Sequence, residues 1–317
     1  MTGEASAQKI PLFTSLPPSM SRLDKAGNEI GAAYQLACIR SWIDAGFRPI
    51  SVNGPDEQPP HQDLVEVRRT TRTAKELHGK PVVFIDDLFT IARSVTPGPV
   101  MIINADILLR PGFDLAGLVA GLGENRALLA HRVDVDEPGS LEGPFCAMGF
   151  DIFIAHAEQL ASIPGAGFAI GLPWWDYYVP MSLRGRGVDI KTLSDRFASH
   201  LNHDGRWDQA SWLKFGTLFA AQIVESAGGR AVDPVIQGND FRMLAANCGR
   251  TIELARTASA RDRLISPIIG SKSNIGQYIG RHNFKLARKS LARIAHQTVD
   301  LARSFGTVRG GDVQELP

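Results

Sequence analysis

PVMIINADILL, residues 99–109, is the most apolar strand-like run in the chain, and Asn104 and Asp106 follow its first five apolar or small residues. A short aliphatic run without helical periodicity fits a strand buried on both faces, as in the middle of a parallel sheet. Polar side chains at the end of such a strand fall on the edge where open α/β sheets bind ligands. Working upstream, KIPLFTSLPP (9–18) reads as a strand broken by prolines, followed by a helix over 28–45 with Asn28 as its cap and Gly46 as its stop. Leu36, Ile39 and Ile43 recur there at helical spacing and predict one face packed on the sheet. FRPISVN (47–53) and LVEVRR (64–69) are further strands, 73–78 is a helix, and VVFIDDLF (82–89) precedes another short helix. Downstream, ALLAHRV (127–133) and GFDIFIA (149–155) read as strands, and GFAIGLPWWDYYVPMSLRG (167–185) as a loop entering a helix. This alternation predicts an α/β fold with a mostly parallel sheet flanked by helices.

Beyond Trp212 strand signals fade, so a core over 9–216 and a helical extension over 217–317 are expected. The extension carries a helical stripe of Phe284, Ala287, Leu291, Ile294, Leu301 and Phe305, with Lys285, Arg288, Lys289 and Arg293 off it. From Asp240 onward there are 13 Lys or Arg against 6 Asp or Glu, although the 317 residues together carry only +1. Nucleic-acid binding by bulk charge is therefore not expected. The basic helix fits core packing first, with peripheral membrane or partner contact as the other reading. Cys38, Cys146 and Cys248 are odd in number, lack metal-ligand spacing, and read as reduced thiols. With no leader pattern and no run of 18 apolar residues, a cytoplasmic location is expected.

An acid at the end of the 99–109 strand suits a hard divalent cation, Mg²⁺ or Mn²⁺, shared with phosphate oxygens. NADILLRPGFDLAGLVAGL (104–122) resembles the metal motif, turn and next helix of the GT-A glycosyltransferases, a likeness that spans roughly 10–203. Asn104 stands where that family usually has the first Asp of its Asp-x-Asp. The resemblance implies a nucleotide-sugar donor, a glycan or other hydroxyl acceptor, and a metal held by Asp106. It gives Asn104 a ribose hydroxyl or a metal-bound water, and it nominates Ser15, Asn53 and Asp86 for donor contacts. Ser15 and Asn53 read equally as turn residues, and Asp86 as a cap of the next helix. The literal Asp-x-Asp at Asp134 and Asp136 is expected in a solvated loop.

IGLPWWDYYVPM (170–181) places Asp176 at the start of a helix beside Trp174 and Trp175. By the same resemblance, Asp176 is the base that deprotonates an acceptor hydroxyl or the group that anchors the acceptor, and it reads also as an N-capping acid beside two core tryptophans. A helix N-terminus lowers its pKa and apolar burial raises it, and the sequence leaves that contest open. HLNH (200–203) offers His200 and His203 as further metal or diphosphate ligands, either on one helical face or in a polar turn. VVFIDDLFT (82–90) approaches the Asp-x-Asp-x-Thr pattern of haloacid dehalogenase-like phosphatases, but Leu88 stands at the second acid. Glycine-rich phosphate loops and the GxSxG elbow are absent from the sequence. A glycosyltransferase is the first expectation, with a non-catalytic glycan or nucleotide-sugar binder and a membrane- or partner-binding scaffold as alternatives.

Overall fold

The computed structural model describes residues 9–140, 142–146, 148–203, 209–228, 241–253 and 274–309. Its elements in chain order are β1 (Ile10–Thr14), α1 (Gly31–Asp44), β2 (Phe47–Asn53), β3 (Glu66–Arg69), α2 (Lys75–His78), α3 (Ile85–Val95) and β4 (Pro99–Ile103). There follow β5 (Ile107–Leu109), α4 (Leu115–Ala120), β6 (Arg126–Ala130), β7 (Val133–Val135), β8 (Ile152–His156), α5 (Ala157–Ala161), α6 (Trp175–Gly185), β9 (Asp189–Leu193) and β10 (Ala198–Leu201). The chain continues with α7 (Gln209–Gly228), a helical segment over 241–253 (α8), α9 (Asn274–Ser304) and β11 (Thr307–Val308).

Eight strands form one sheet in the order β11-β9-β6-β8-β4-β1-β2-β3. All run the same way except β8, which is antiparallel to both β4 and β6. Residues 99–103 thus lie inside the sheet, as their apolar character requires, but the strand expected over 99–109 is two: 107–109 leave this sheet as β5 of another. Successive β4 residues point to opposite faces, Val100 and Ile102 into one hydrophobic cluster with α3, α6, α7 and α9, Met101 and Ile103 into another with α1 and α4. A second sheet, β5-β10-β7, sits against the α1 side and is built from three short pieces of chain.

Several boundaries differ from the sequence reading for identifiable reasons. The run 127–133 is split, because β6 ends at Ala130 and β7 starts at Val133 in the other sheet. Residues 82–89 do not precede the next helix but run into it, since α3 begins at Ile85 and takes both acids into its first turn. Asn28 does not cap α1; it donates to Asp24 instead, while Glu29 Oε1 accepts from Gly31 N at 2.7 Å. β9 and β10 carry little apolar alternation and were not expected. Residue 216 falls inside α7, and β11 joins β9, so the C-terminal segment shares the main sheet and its core. In α9, Leu291, Ile294 and Leu301 are buried, while Lys285, Arg288, Lys289 and Arg293 face solvent; Phe284 lies outside the described side chains. Among the described residues no helix is long and apolar enough to cross a membrane.

Gly31 opens α1 under the 15–30 loop, where an added Cβ would lie 2.0 Å from the Met20 carbonyl oxygen. Backbone cannot yield there as a side-chain tip can. Gly31→Ala is expected to cost about 1–3 kcal/mol, read as a lower urea midpoint.

Candidate functional site

The ends of β1, β2, β4 and β6, and the start of antiparallel β8, lie along one edge of the large sheet. Asp106 stands there, between β4 and β5, and α1 fixes it. The Tyr34 hydroxyl donates to the Asp106 carbonyl at 3.0 Å and accepts from Leu201 N at 2.9 Å. Trp42 Nε1 donates to the Ile107 carbonyl at 2.8 Å. Tyr34 thereby ties the turn after β4 to the end of β10, which carries His200 to Asp106, while Trp42 holds the start of β5.

At Asp106, a single carboxylate oxygen is the focus. Oδ2 lies 2.6 Å from Arg22 Nη2, 3.4 Å from His200 Nε2 and 3.8 Å from His203 Nε2. The ligand atoms of Asp106, His200 and His203 all lie within 4.8 Å of one another. His200 is on a strand and His203 just past it, rather than on the helical face the spacing allowed. Burial works against ionisation of Asp106. Hydrogen bonds from His200 and His203, with the charges of His200 and Arg22, nevertheless hold it well below the usual carboxylate range.

A second rank of charges stands behind the first. His200 Nδ1 lies 3.2 Å from Asp134 Oδ1, and Arg132 Nε donates to that same oxygen at 2.7 Å. Arg132 Nη1 donates to Asp151 Oδ1 at 2.7 Å, and Asn104 Nδ2 donates there at 2.9 Å. Desolvation opposes the charge on Asp134, but His200 and Arg132 bring its pKa down to about 2. His200, although burial disfavours its cation, is raised by its bonds to Asp106 and Asp134. A carboxylate on one ring nitrogen leaves the other facing the shared centre, the arrangement common at metal-ligating histidines. Asp134 is therefore not in a solvated loop: it lies in β7, paired with β10, while Asp136 is exposed. Strand pairing between segments 66 residues apart brought it in, and its spacing to Asp136 carried no such information.

Asn104 has a specific job in this rank. Its amide donates to an acid, so Asn104→Asp would set two carboxylates in contact. That change, although it restores a literal Asp-x-Asp, is expected to cost about 1–3 kcal/mol, more at pH 8 than at pH 5. Denaturant midpoints at the two pH values measure it.

Asp176 lies in the first turn of α6, after Trp174, whose backbone is left-handed at φ 74°. Trp174 is wedged against Tyr177, Trp212 and Phe219, and its Nε1 donates to the Trp212 carbonyl at 2.9 Å. Phe150 N donates to Asp176 Oδ2 at 3.3 Å. Gly149, at φ 75°, leaves the room this requires, since a Cβ there would come 2.3 Å from Oδ2. Burial, reinforced by the charge of Asp151, pushes the Asp176 pKa up to about 7. In the contest between helix terminus and burial, burial prevails.

The other nominated residues are placed differently. Ser15 follows β1 and is half-buried. Asn53 is 1% exposed; its Nδ2 donates to the Leu16 carbonyl at 2.9 Å and its Oδ1 accepts from Ser51 Oγ at 2.7 Å. Its amide is thus engaged in holding the β1–α1 loop against β2. Asp86 pairs with Arg72 Nη2 at 2.7 Å, and Arg72 also holds Asp87 and lies over the Phe84 ring. The described contacts join Asp86 to Arg72 and not to the Asp106 cluster. Arg22, Arg132 and Asp151 were not singled out from sequence. For Asp151 an acid directly preceding an apolar strand is a usable signal; a lone arginine in a polar loop is none.

No family model and no curated protein matches this chain. Two crystal structures of HddC from Yersinia pseudotuberculosis, one complexed with GMP-PN, share 10% and 11% identity with it. Each similarity covers 52% of this chain and 85% of that chain, with TM-scores of 0.33 and 0.31. Overlap at that level decides nothing about the chemistry of this site.

Proposed function

We propose that this protein is a GT-A-like glycosyltransferase that moves a sugar from a nucleotide-diphosphate donor to an acceptor hydroxyl. The observation that carries the reading is the meeting of Asp106, at the ligand-binding edge after β4, with His200 and His203 from the end of β10. The donor set fits a divalent cation: one ionised carboxylate and two imidazole nitrogens converge. A mixed oxygen and nitrogen set favours Mn²⁺ over Mg²⁺, which prefers oxygen throughout. Bound there, a cation would supply charge stabilisation to the diphosphate as the sugar leaves.

The remaining steps belong to the protein. Arg132 holds Asp134 and Asp151, Asp134 orients His200, and Asn104 fixes Asp151. Asp176, with a pKa of about 7, is tuned to take a proton near neutrality. In the proposed reaction the acceptor oxygen bonds to the anomeric carbon, the bond from that carbon to the diphosphate breaks, and the hydroxyl proton passes to Asp176. This direct displacement inverts the anomeric centre. Every group named lies within 9–216, the segment proposed as the transferase core.

Calorimetric titration of UDP and GDP, with and without Mn²⁺, tests the reading. Metal-dependent binding of one nucleotide is expected. Failure of both nucleotides to bind under either condition overturns it.

A further inference from the structure

Resting on that donor-site reading, we propose that Arg22 is a resident counter-ion of Asp106 that transfers to the donor's diphosphate when the metal takes its place. Arg22 and the two histidines address the same Oδ2 atom, and Arg22 holds it most closely, at 2.6 Å. Its side chain is 3% exposed, so it is not a surface arginine that happens to reach an acid.

The loop carrying Arg22 is built to put it there. Leu23 and Glu29 form an antiparallel bridge, and Ile30 N donates to the Arg22 carbonyl at 2.8 Å. Glu29 Oε1 accepts from Arg22 N at 2.8 Å and from Gly31 N at 2.7 Å. Asp24 Oδ1 accepts from Ala26 N and Asn28 N at the turn, where Gly27 has φ 83°. The backbone is fixed at both sides of Arg22, so the proposed transfer moves its guanidinium alone, which besides Asp106 also holds the Ser21 carbonyl through Nη1 at 2.9 Å.

A dication entering among Asp106, His200 and His203 repels a guanidinium already on the same oxygen. Entering alone, it forces Arg22 off a carboxylate with no new anion to receive it. A diphosphate supplies that anion, and a guanidinium binds phosphate oxygens through a two-pronged fork. Metal and nucleotide should therefore bind cooperatively, each improving the other's affinity by the same factor. Arg22 adds to the coupling that a cation shared with phosphate oxygens supplies by itself.

The test is calorimetry on the full chain with Mn²⁺ alone, and with Mn²⁺ plus saturating UDP or GDP, for wild type, Arg22→Met and Arg22→Lys. In wild type, nucleotide is expected to tighten Mn²⁺ by about tenfold or more. Arg22→Met should bind Mn²⁺ alone about tenfold more tightly than wild type, and nucleotide should tighten Mn²⁺ by a smaller factor than in wild type, the remainder coming from phosphate oxygens on the metal itself. Arg22→Lys, which keeps the charge without the fork, should lie between. Because Arg22→Met leaves Asp106 without its counter-ion, its melting temperature is followed as well, and Mn²⁺ should raise it more than it raises that of wild type. Unchanged or weaker Mn²⁺ binding by folded Arg22→Met overturns the proposal, as does equal wild-type affinity with and without nucleotide. If no form binds Mn²⁺ even with nucleotide, the donor-site reading falls and this inference with it.

Discussion

Asp106→Asn is expected to abolish metal-dependent nucleotide binding and to destabilise the fold at once. The variant keeps the shape of the side chain, so Tyr34 still holds the backbone carbonyl of residue 106. What it removes is the charge on the oxygen shared by Arg22, His200 and His203. Loss of a residue that only orients a ligand costs about 10–100-fold in metal affinity, and loss of the one carboxylate of the proposed ligand set should exceed that. The same change strands the buried guanidinium of Arg22. Breaking a buried ion pair from one side costs about 3–5 kcal/mol, and the low end applies because Asp106 is 24% exposed. Calorimetry with Mn²⁺ and the fitting nucleotide reads the first effect, and a urea midpoint the second. Retained metal-dependent binding in a folded Asp106→Asn protein sinks the donor-site reading. Since the folded pKa of Asp106 is depressed, the pair's stabilisation is present above the unfolded value of 3.8 and is lost as pH falls below it.

Asp176→Asn has the second large effect, and it acts on turnover rather than on binding. If Asp176 takes the acceptor's proton, the amide lowers the rate by about 10²–10⁴-fold and leaves Mn²⁺-dependent nucleotide affinity near wild type. A pH series separates this role from a structural one. The folded pKa is about 7 against 3.8 for the free group, so the folded protein holds a proton that the unfolded chain releases. That contribution is fully present below 3.8 and disappears as pH rises through about 7. Asn carries no such dependence. The stability of Asp176→Asn relative to wild type should therefore climb between pH 5 and pH 8, while at pH 4 the two differ little. A constant difference across that range contradicts a buried, proton-holding Asp176.

Much of the fold was legible because the sheet is buried on both faces. Residues 99–103, 47–53 and 10–14 are aliphatic enough to be strands wherever they sit, and the helix over 31–44 shows its packed face through Ile39 and its neighbours. Asp106 was legible for the same reason, since the end of an apolar parallel strand is a place where a carboxylate has a use. The antiparallel course of β8 was not, because the apolar pattern of a strand has no direction. Nor were β9 and β10, where Lys191 serves Asp189 and the Phe305 carbonyl and His200 serves the cluster at Asp106.

By itself, then, the sequence determined the α/β alternation, the buried place of residues 99–103 and the position of Asp106 at that strand's end, and it put Asp176 in a helix's first turn. These are local properties, decided by periodicity and by which side chains tolerate burial. Only the tertiary structure decided which charges meet. It set Arg22 from the β1–α1 loop on Asp106, drew Asp134 and His200 together by pairing β7 with β10, and made Asn104 a donor to Asp151. It also decided the ionisation of Asp176, because the apolar packing around it and the Asp151 charge come from other parts of the chain. Coulomb and desolvation energies depend on distance and burial in space, and neither is a function of separation along the chain.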